Sequence, residues 1–187
     1  MKKEVKKSGW KKTALIIGLT LLAVFIVLLI IGFLQSNSNS KDYYTHDYFK
    51  VASIPGWTEI PSEIPSSYSY IPNNAYTSEG ISITITLLPK NSEINLDSLF
   101  EQGVETTKKI MPDFQIIESP SEERFGNVNG KKVIFTGTSN NISLEFNQVY
   151  GIKFNVIYTI TYVCPIEKCL YSEVFTSLKN SFEAIEP

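Results

Sequence analysis

Two cysteines, Cys164 and Cys169, are the only thiols in this chain of 187 residues, and they are spaced C-P-I-E-K-C. In a domain outside the cytoplasm an even count favours a disulfide, with two free thiols as the alternative. Four intervening residues depart from the two-residue spacing of redox-active pairs. A zinc site would need two further ligands, and the one histidine, His46, lies far away in sequence. If the bridge forms, Val163 should end the strand before it, because Pro165 cannot donate to a ladder. Cys169 should then open the following helix.

Carboxylates are the other candidates for chemistry. Asp97, Glu101 and Glu105 fall at i, i+4 and i+8 on one helical face, and Glu118, Glu122 and Glu123 cluster around a turn. General acid–base work needs a carboxyl in a cleft with a perturbed pKa, and nothing in the sequence shows one. A solvated face and a polar loop account for both groups. No H-E-x-x-H, G-x-S-x-G, Walker, G-x-G-x-x-G or D-x-D-x-D-G pattern occurs. A Ser-His pair would have to recruit His46, which reads as a solvated residue beside a linker. The expectation is no catalytic residue, no cofactor and no metal site.

Aromatic side chains are dense near the start of the polar region. Tyr43, Tyr44, Tyr48, Phe49, Trp57, Tyr68, Tyr70 and Tyr76 lie within 34 residues. Trp57, Tyr68, Tyr70 and Tyr76 form the candidate partner surface, since Tyr and Trp supply large, rigid contact area. The competing reading puts half of the run in a core and the rest near a headgroup interface. Asn141-Ile142-Ser143 is the single N-x-S sequon, and it falls in a turn.

The elements that must position these residues begin with residues 14–34, which carry no charge; sixteen of the 21 are Leu, Ile, Val or Phe. At about 1.5 Å per residue such a helix spans a bilayer core, and insertion is favourable by roughly 5–10 kcal/mol. Lys2, Lys3, Lys6, Lys7, Lys11 and Lys12 precede it, opposed only by Glu4. Positive charge stays inside, so the N-terminus is cytoplasmic and the remainder outside. The apolar core is too long for a cleaved signal and lacks an A-x-A site. Residues 1–12 therefore read as a basic cytoplasmic tail, 13–35 as a transmembrane helix, 36–42 as a flexible linker and 43–187 as an extracytoplasmic domain. Of 17 basic and 19 acidic residues, removing the tail leaves 11 against 18. That acidic balance argues against nucleic acid as a partner.

Within the outer domain, Tyr48–Ile54 and Ser67–Ile71 read as strands, with residues 58–66 as a loop. Ile81–Leu87 alternates cleanly, with Ser82, Thr84 and Thr86 on the face opposite the isoleucines. The period then changes. Leu96, Leu99, Phe100, Val104, Thr107, Ile110 and Met111 form a helical stripe, with Asn95 as N-cap and Pro112 as the stop. Strand-like runs follow over 114–118, 123–128, 131–138, 142–150 and 154–163, with turns expected at Asn127–Gly130 and Tyr150–Lys153. Leu170, Val174, Phe175, Leu178, Phe182 and Ile185 make a closing amphipathic helix. The class is α+β, an antiparallel β-sheet sandwiched by helices.

An aromatic-led strand, Ile54-Pro55-Gly56-Trp57, an apolar strand ending near Pro89 and a helix occur in that order. Gly130-Lys131-Lys132-Val133, a long hairpin and a last helix ending Leu178-Lys179-Asn180-Ser181-Phe182 then follow. Over about residues 43–186 this pattern resembles the PsbP-like superfamily. That superfamily includes the extrinsic photosystem II protein, Mog-type Ran-binding proteins and small membrane-anchored prokaryotic relatives. The resemblance implies an antiparallel sheet between helices and a non-enzymatic accessory or binding role. The expected function is a membrane-tethered, non-catalytic binding module that docks on a membrane complex or envelope component. The alternative is a carboxylate-dependent hydrolase of the cell envelope, using Glu122 or Glu123. The expected partners are the lipid bilayer, through residues 14–34, and a protein or envelope component.

Overall fold

A computed structural model describes residues 42–62, 64–73, 78–90, 92, 94–111, 113–166 and 168–186. The expected tail, span and most of the linker lie outside these residues, as do Tyr76 and Pro112. Among the described residues no helix is long and apolar enough to cross a membrane.

Among the described residues, ten strands and two helices follow one another. They are β1 (Tyr43–Thr45), β2 (Phe49–Ala52), β3 (Trp57–Ile60), β4 (Ser67–Pro72), β5 (Gly80–Leu87), α1 (Leu96–Ile110), β6 (Gln115–Phe125), β7 (Val128–Ser139), β8 (Ile142–Lys153), β9 (Val156–Pro165), α2 (Ser172–Ser181) and β10 (Glu183–Ala184). A seven-stranded sheet runs in the order β3-β4-β5-β9-β8-β7-β6, and a three-stranded sheet in the order β1-β2-β10. Every pairing is antiparallel. The expected α+β architecture is present.

The two faces of the large sheet are packed differently. One face carries Ile81, Ile83, Ile85, Val149, Tyr158, Ile160 and Tyr162, closed by Phe175 and Leu178 of α2, by Phe182, and by Phe49 and Val51 of the small sheet. The Phe182 ring sits 5.4 Å from Phe49, 5.6 Å from Phe125 and 5.3 Å from Tyr158. On the other face, Leu96, Leu99 and Phe100 of α1 rest on Val133, Phe135 and Tyr150. Helix α2 contributes two buried side chains and α1 contributes none. At roughly 1.5–3 kcal/mol for each fully buried Phe or Leu, α2 is the more firmly seated helix.

Local chemistry sets the ends of α1. The Ser98 N–H donates to Asn95 Oδ1 at 2.8 Å, as expected of an N-cap. Asp97 lies in the first turn and Lys108 and Lys109 in the last, each favourable to the helix dipole.

Several boundaries differ from the sequence expectation. Residues 58–60, read as the start of a loop, belong with Trp57 to an edge strand, Trp57–Ile60, paired with β4. The runs before and after residues 119–122 form one strand, β6, with irregular register around Glu118 and Ser121. Pro120 lies inside it, tolerated because β6 is the sheet edge. The hairpin turns at Gly126-Asn127 and Phe154-Asn155 stand in place of those expected at Asn127–Gly130 and Tyr150–Lys153, while Asn140-Asn141 turns where the sequon was placed in a turn. Gly126 turns with φ of 54°, and a Cβ there would lie 1.5 Å from the Phe182 carbonyl oxygen. Gly130 serves a strand, where a Cβ would lie 2.1 Å from the Tyr150 carbonyl oxygen. Leu170, assigned to the closing stripe, is exposed, and α2 starts two residues later.

Candidate functional site

A cleft of about 550 Å³ lies between α1 and the sheet. Strand register builds its floor. Thr84 pairs with Thr159, Thr159 with Tyr150, Tyr150 with Lys131, and Lys131 with Glu122, so these five side chains form one row across five strands. Thr84, Thr159 and Tyr150 lie within the cleft, joined by Thr86, Gln148 and Ile157. Leu99, Phe100, Gly103 and Val104 form the helix side. Lys131 and Glu122 continue the row at the rim, where the Lys131 ammonium donates to Asp97 at the start of α1. The Asp97 carboxylate holds the Lys131 amine above its ordinary pKa.

Tyr150 is the polar residue of most interest here. It is 3 % exposed, and its hydroxyl has no hydrogen-bond partner among the described residues. Burial, then the carboxylates of Asp97 and Glu122, push its phenol up to about 12. At neutral pH it is therefore an O–H donor. The Phe100 ring lies 6.4 Å away and within 10° of parallel. None of the residues lining the cleft carries a charge at neutral pH.

A second polar network lies on the opposite face. Glu79 is 4 % exposed and is the buried charged residue among those described. Its carboxylate accepts from the Tyr162 hydroxyl and from the Leu170 N–H, at 3.2 and 3.3 Å to the two oxygens. The Tyr171 N–H in turn donates to the Tyr162 oxygen at 3.0 Å. Burial and the Glu79 hydrogen bond push the Tyr162 phenol upward. These bonds fasten the loop before α2. Cys164 and Cys169 close the same loop with a disulfide, Cα atoms 5.2 Å apart. Strand β9 continues two residues past Val163, to Pro165. Strand β5 stops pairing at Val163, so Pro165 occupies a locally free edge. Cys169 precedes the first residue of α2 by three positions rather than opening the helix.

No protein-family model and no curated protein matches the chain by sequence. Solved structures do match in fold. The solution structure of cyanobacterial PsbP (CyanoP) from Synechocystis sp. PCC 6803 superposes with a TM-score of 0.61 at 9% identity, covering 77% of this chain and 92% of that one. This is a PsbP/Mog-like fold. A Bacteroides thetaiotaomicron protein follows with a TM-score of 0.54 at 10% identity, covering 73% of this chain and 45% of that one. The Ran-binding protein Mog1p of Saccharomyces cerevisiae gives 0.51 at 10% identity, covering 79% of this chain and 97% of that one.

Of the four residues of the expected aromatic surface, Trp57 and Tyr70 are interior, Tyr68 is partly so, and Tyr76 lies outside the described residues. Trp57 is buried at 6 % exposure and meets Tyr171 edge-on at 5.3 Å, and Tyr70 is 0 % exposed. Tyr68 is half-buried between His46 at 4.0 Å and Phe49 at 5.1 Å. Trp57 and Tyr70 thus offer a partner no surface, because they close the core between the two sheets. His46 is not a solvated linker residue either. Its Nε2 lies 3.5 Å from Glu59 and 3.4 Å from the Tyr70 hydroxyl.

Glu122 and Glu123 do not converge. As neighbours in β6 they point to opposite faces, Glu122 toward Lys131 and Glu123 into an ion pair with Lys179 of α2. Glu118 pairs with Lys132 at 3.2 Å. The sequence reading missed Tyr150, Gln148, Thr159 and Gly103. The available signal was the hydroxyl face of Ser82, Thr84 and Thr86 lying opposite an amphipathic helix.

Proposed function

We propose that the protein is a membrane-tethered, non-catalytic binding module. Its PsbP/Mog-like domain stands outside the membrane and docks on a membrane complex or envelope component. The observation that carries the binding reading is the lining of the α1 cleft. Among the described residues, no carboxylate, imidazole, thiol or amine lies within it. A hydrolase needs a nucleophile or a general base at the reacting atom. The carboxylates nominated for that role diverge and are engaged by lysines. The Ran-binding role named for Mog1p supports protein docking on this fold. The uncharged 14–34 segment and its six-lysine flank support the tether and its direction.

Chemical crosslinking of the full chain in its native membrane, followed by recovery under denaturing conditions, tests the proposal. The same membrane or envelope partner should return in replicate experiments. Failure to recover one, together with hydrolysis of an envelope substrate that is lost in Glu122→Gln or Glu123→Gln, would overturn the proposal.

A further inference from the structure

We propose that the cleft beneath α1 is a binding site for an uncharged, ring-bearing small molecule with a hydroxyl or carbonyl group, anchored by Tyr150 and Gln148. This inference does not rest on membrane tethering or on docking. The cleft volume, about 550 Å³, falls within the roughly 300–1,000 Å³ range of small-molecule sites.

Three observations set the chemistry. The lining is neutral, so a charged ligand would lose hydration without gaining a counter-charge. Phe100, Phe114, Phe135 and Tyr150 contribute aromatic rings, suited to a flat apolar ring. The buried Tyr150 hydroxyl lacks a partner among the described residues, and a ligand oxygen would satisfy it. Thr84, Thr159 and the Gln148 carboxamide supply further donors and acceptors, although the Gln148 amide already donates to Thr161 at 2.9 Å, which leaves its oxygen to accept. A polypeptide segment is a poorer fit. Each of its residues would bring a backbone donor and acceptor, more than these few side chains can satisfy.

Gly103 gives a test that separates binding from folding. It lines the cleft, and a Cβ added there meets no atom within 4 Å. Gly103→Leu fills the cleft and also favours the helix. The probe is 4-(hydroxymethyl)benzophenone, photoactivated against the full chain in lipid nanodiscs, with labelled peptides mapped by mass spectrometry. 4-Carboxybenzophenone is its anionic counterpart. Labelling should saturate and concentrate on α1 and on the facing segments of β5 and β9. It should fall about tenfold or more in Gly103→Leu, and be about tenfold weaker with the carboxylate probe. Tyr150→Phe should weaken cleft labelling several-fold without lowering the melting temperature. Labelling spread over the surface, retained in Gly103→Leu, or equal with the carboxylate probe would overturn the site. If Gly103→Leu melts early, Tyr150→Phe alone decides, and unchanged labelling in that variant counts against the proposal.

Discussion

Glu79 shows how far one side chain can be committed to structure. Its carboxylate is buried, and both oxygens are used by Tyr162 and Leu170. Removing it would strand a buried hydroxyl and a backbone N–H together. Glu79→Ala is therefore expected to cost about 1–3 kcal/mol in urea denaturation, and Glu79→Gln less, because an amide oxygen still accepts. Equal losses for the two variants would show that the charge, not the acceptor, matters. None of this is visible in the sequence, where Glu79 sits between a tyrosine-rich segment and a strand. Trp57 and Tyr70 were unreadable for a similar reason. Whether an aromatic is exposed depends on distant partners such as Tyr171 and His46, and local pattern is silent about those.

Among the elements, strict alternation was the most legible signal. The alternation falls within β5, where Ile81, Ile83 and Ile85 enter the core closed by α2 and Thr84 and Thr86 lie under α1, while Leu87, expected on the isoleucine face, is exposed. Turns were the least legible. The glycines at 130 and 151 look like turn residues, yet both serve close backbone approach inside strands. One unexpected turn uses Phe154-Asn155, and the one legible from the sequence uses Asn140-Asn141, all with positive φ. Helix α1 offers a paired test. Asn95→Ala removes the cap and is expected to cost about 1 kcal/mol, whereas Gly103→Ala should add about 1 kcal/mol. The double variant should return close to the parent midpoint, since the two sites share no contact. A double variant as unstable as Asn95→Ala would mean that Gly103 is held by something other than helix propensity.

For the whole molecule, the buried phenols make stability sensitive to alkali. Tyr150 and Tyr158 are pushed up to about 12, foremost by burial, and Tyr70 and Tyr162 are raised as well. In the unfolded chain the same groups titrate near their ordinary value of about 10. The folded state keeps its phenolic protons longer, so this stabilisation is complete below about pH 10 and is lost as pH rises toward 12. The melting temperature should be level to about pH 9 and fall steeply above 10, with tyrosinate absorbance appearing at unfolding. Gradual ionisation ahead of unfolding would contradict it.

Orientation is tested at the same scale. A membrane-impermeant amine reagent added to intact cells should modify the exposed Lys108, and reach Lys2 to Lys12 only after permeabilisation. The reverse order would refute the outward placement. The cleft itself was beyond sequence reading. Thr84, Thr159 and Tyr150 become neighbours only through the register of three strands.

The small sheet has a mechanical consequence. A pull on the chain at Asp42 meets β1 first, and β1 is held to β2 by three register pairs beginning at Tyr43 and Ala52. Loaded from its end, such an edge strand unzips one pair at a time rather than shearing all at once. The β2 strand behind it is also gripped by β10, and Asn127 clamps Ala184 through both its N–H and its carbonyl, at 2.8 and 3.1 Å. Tension arriving through a tether would therefore be spent on β1, as a short extensible leader, before it reached the strands that form the α1 cleft.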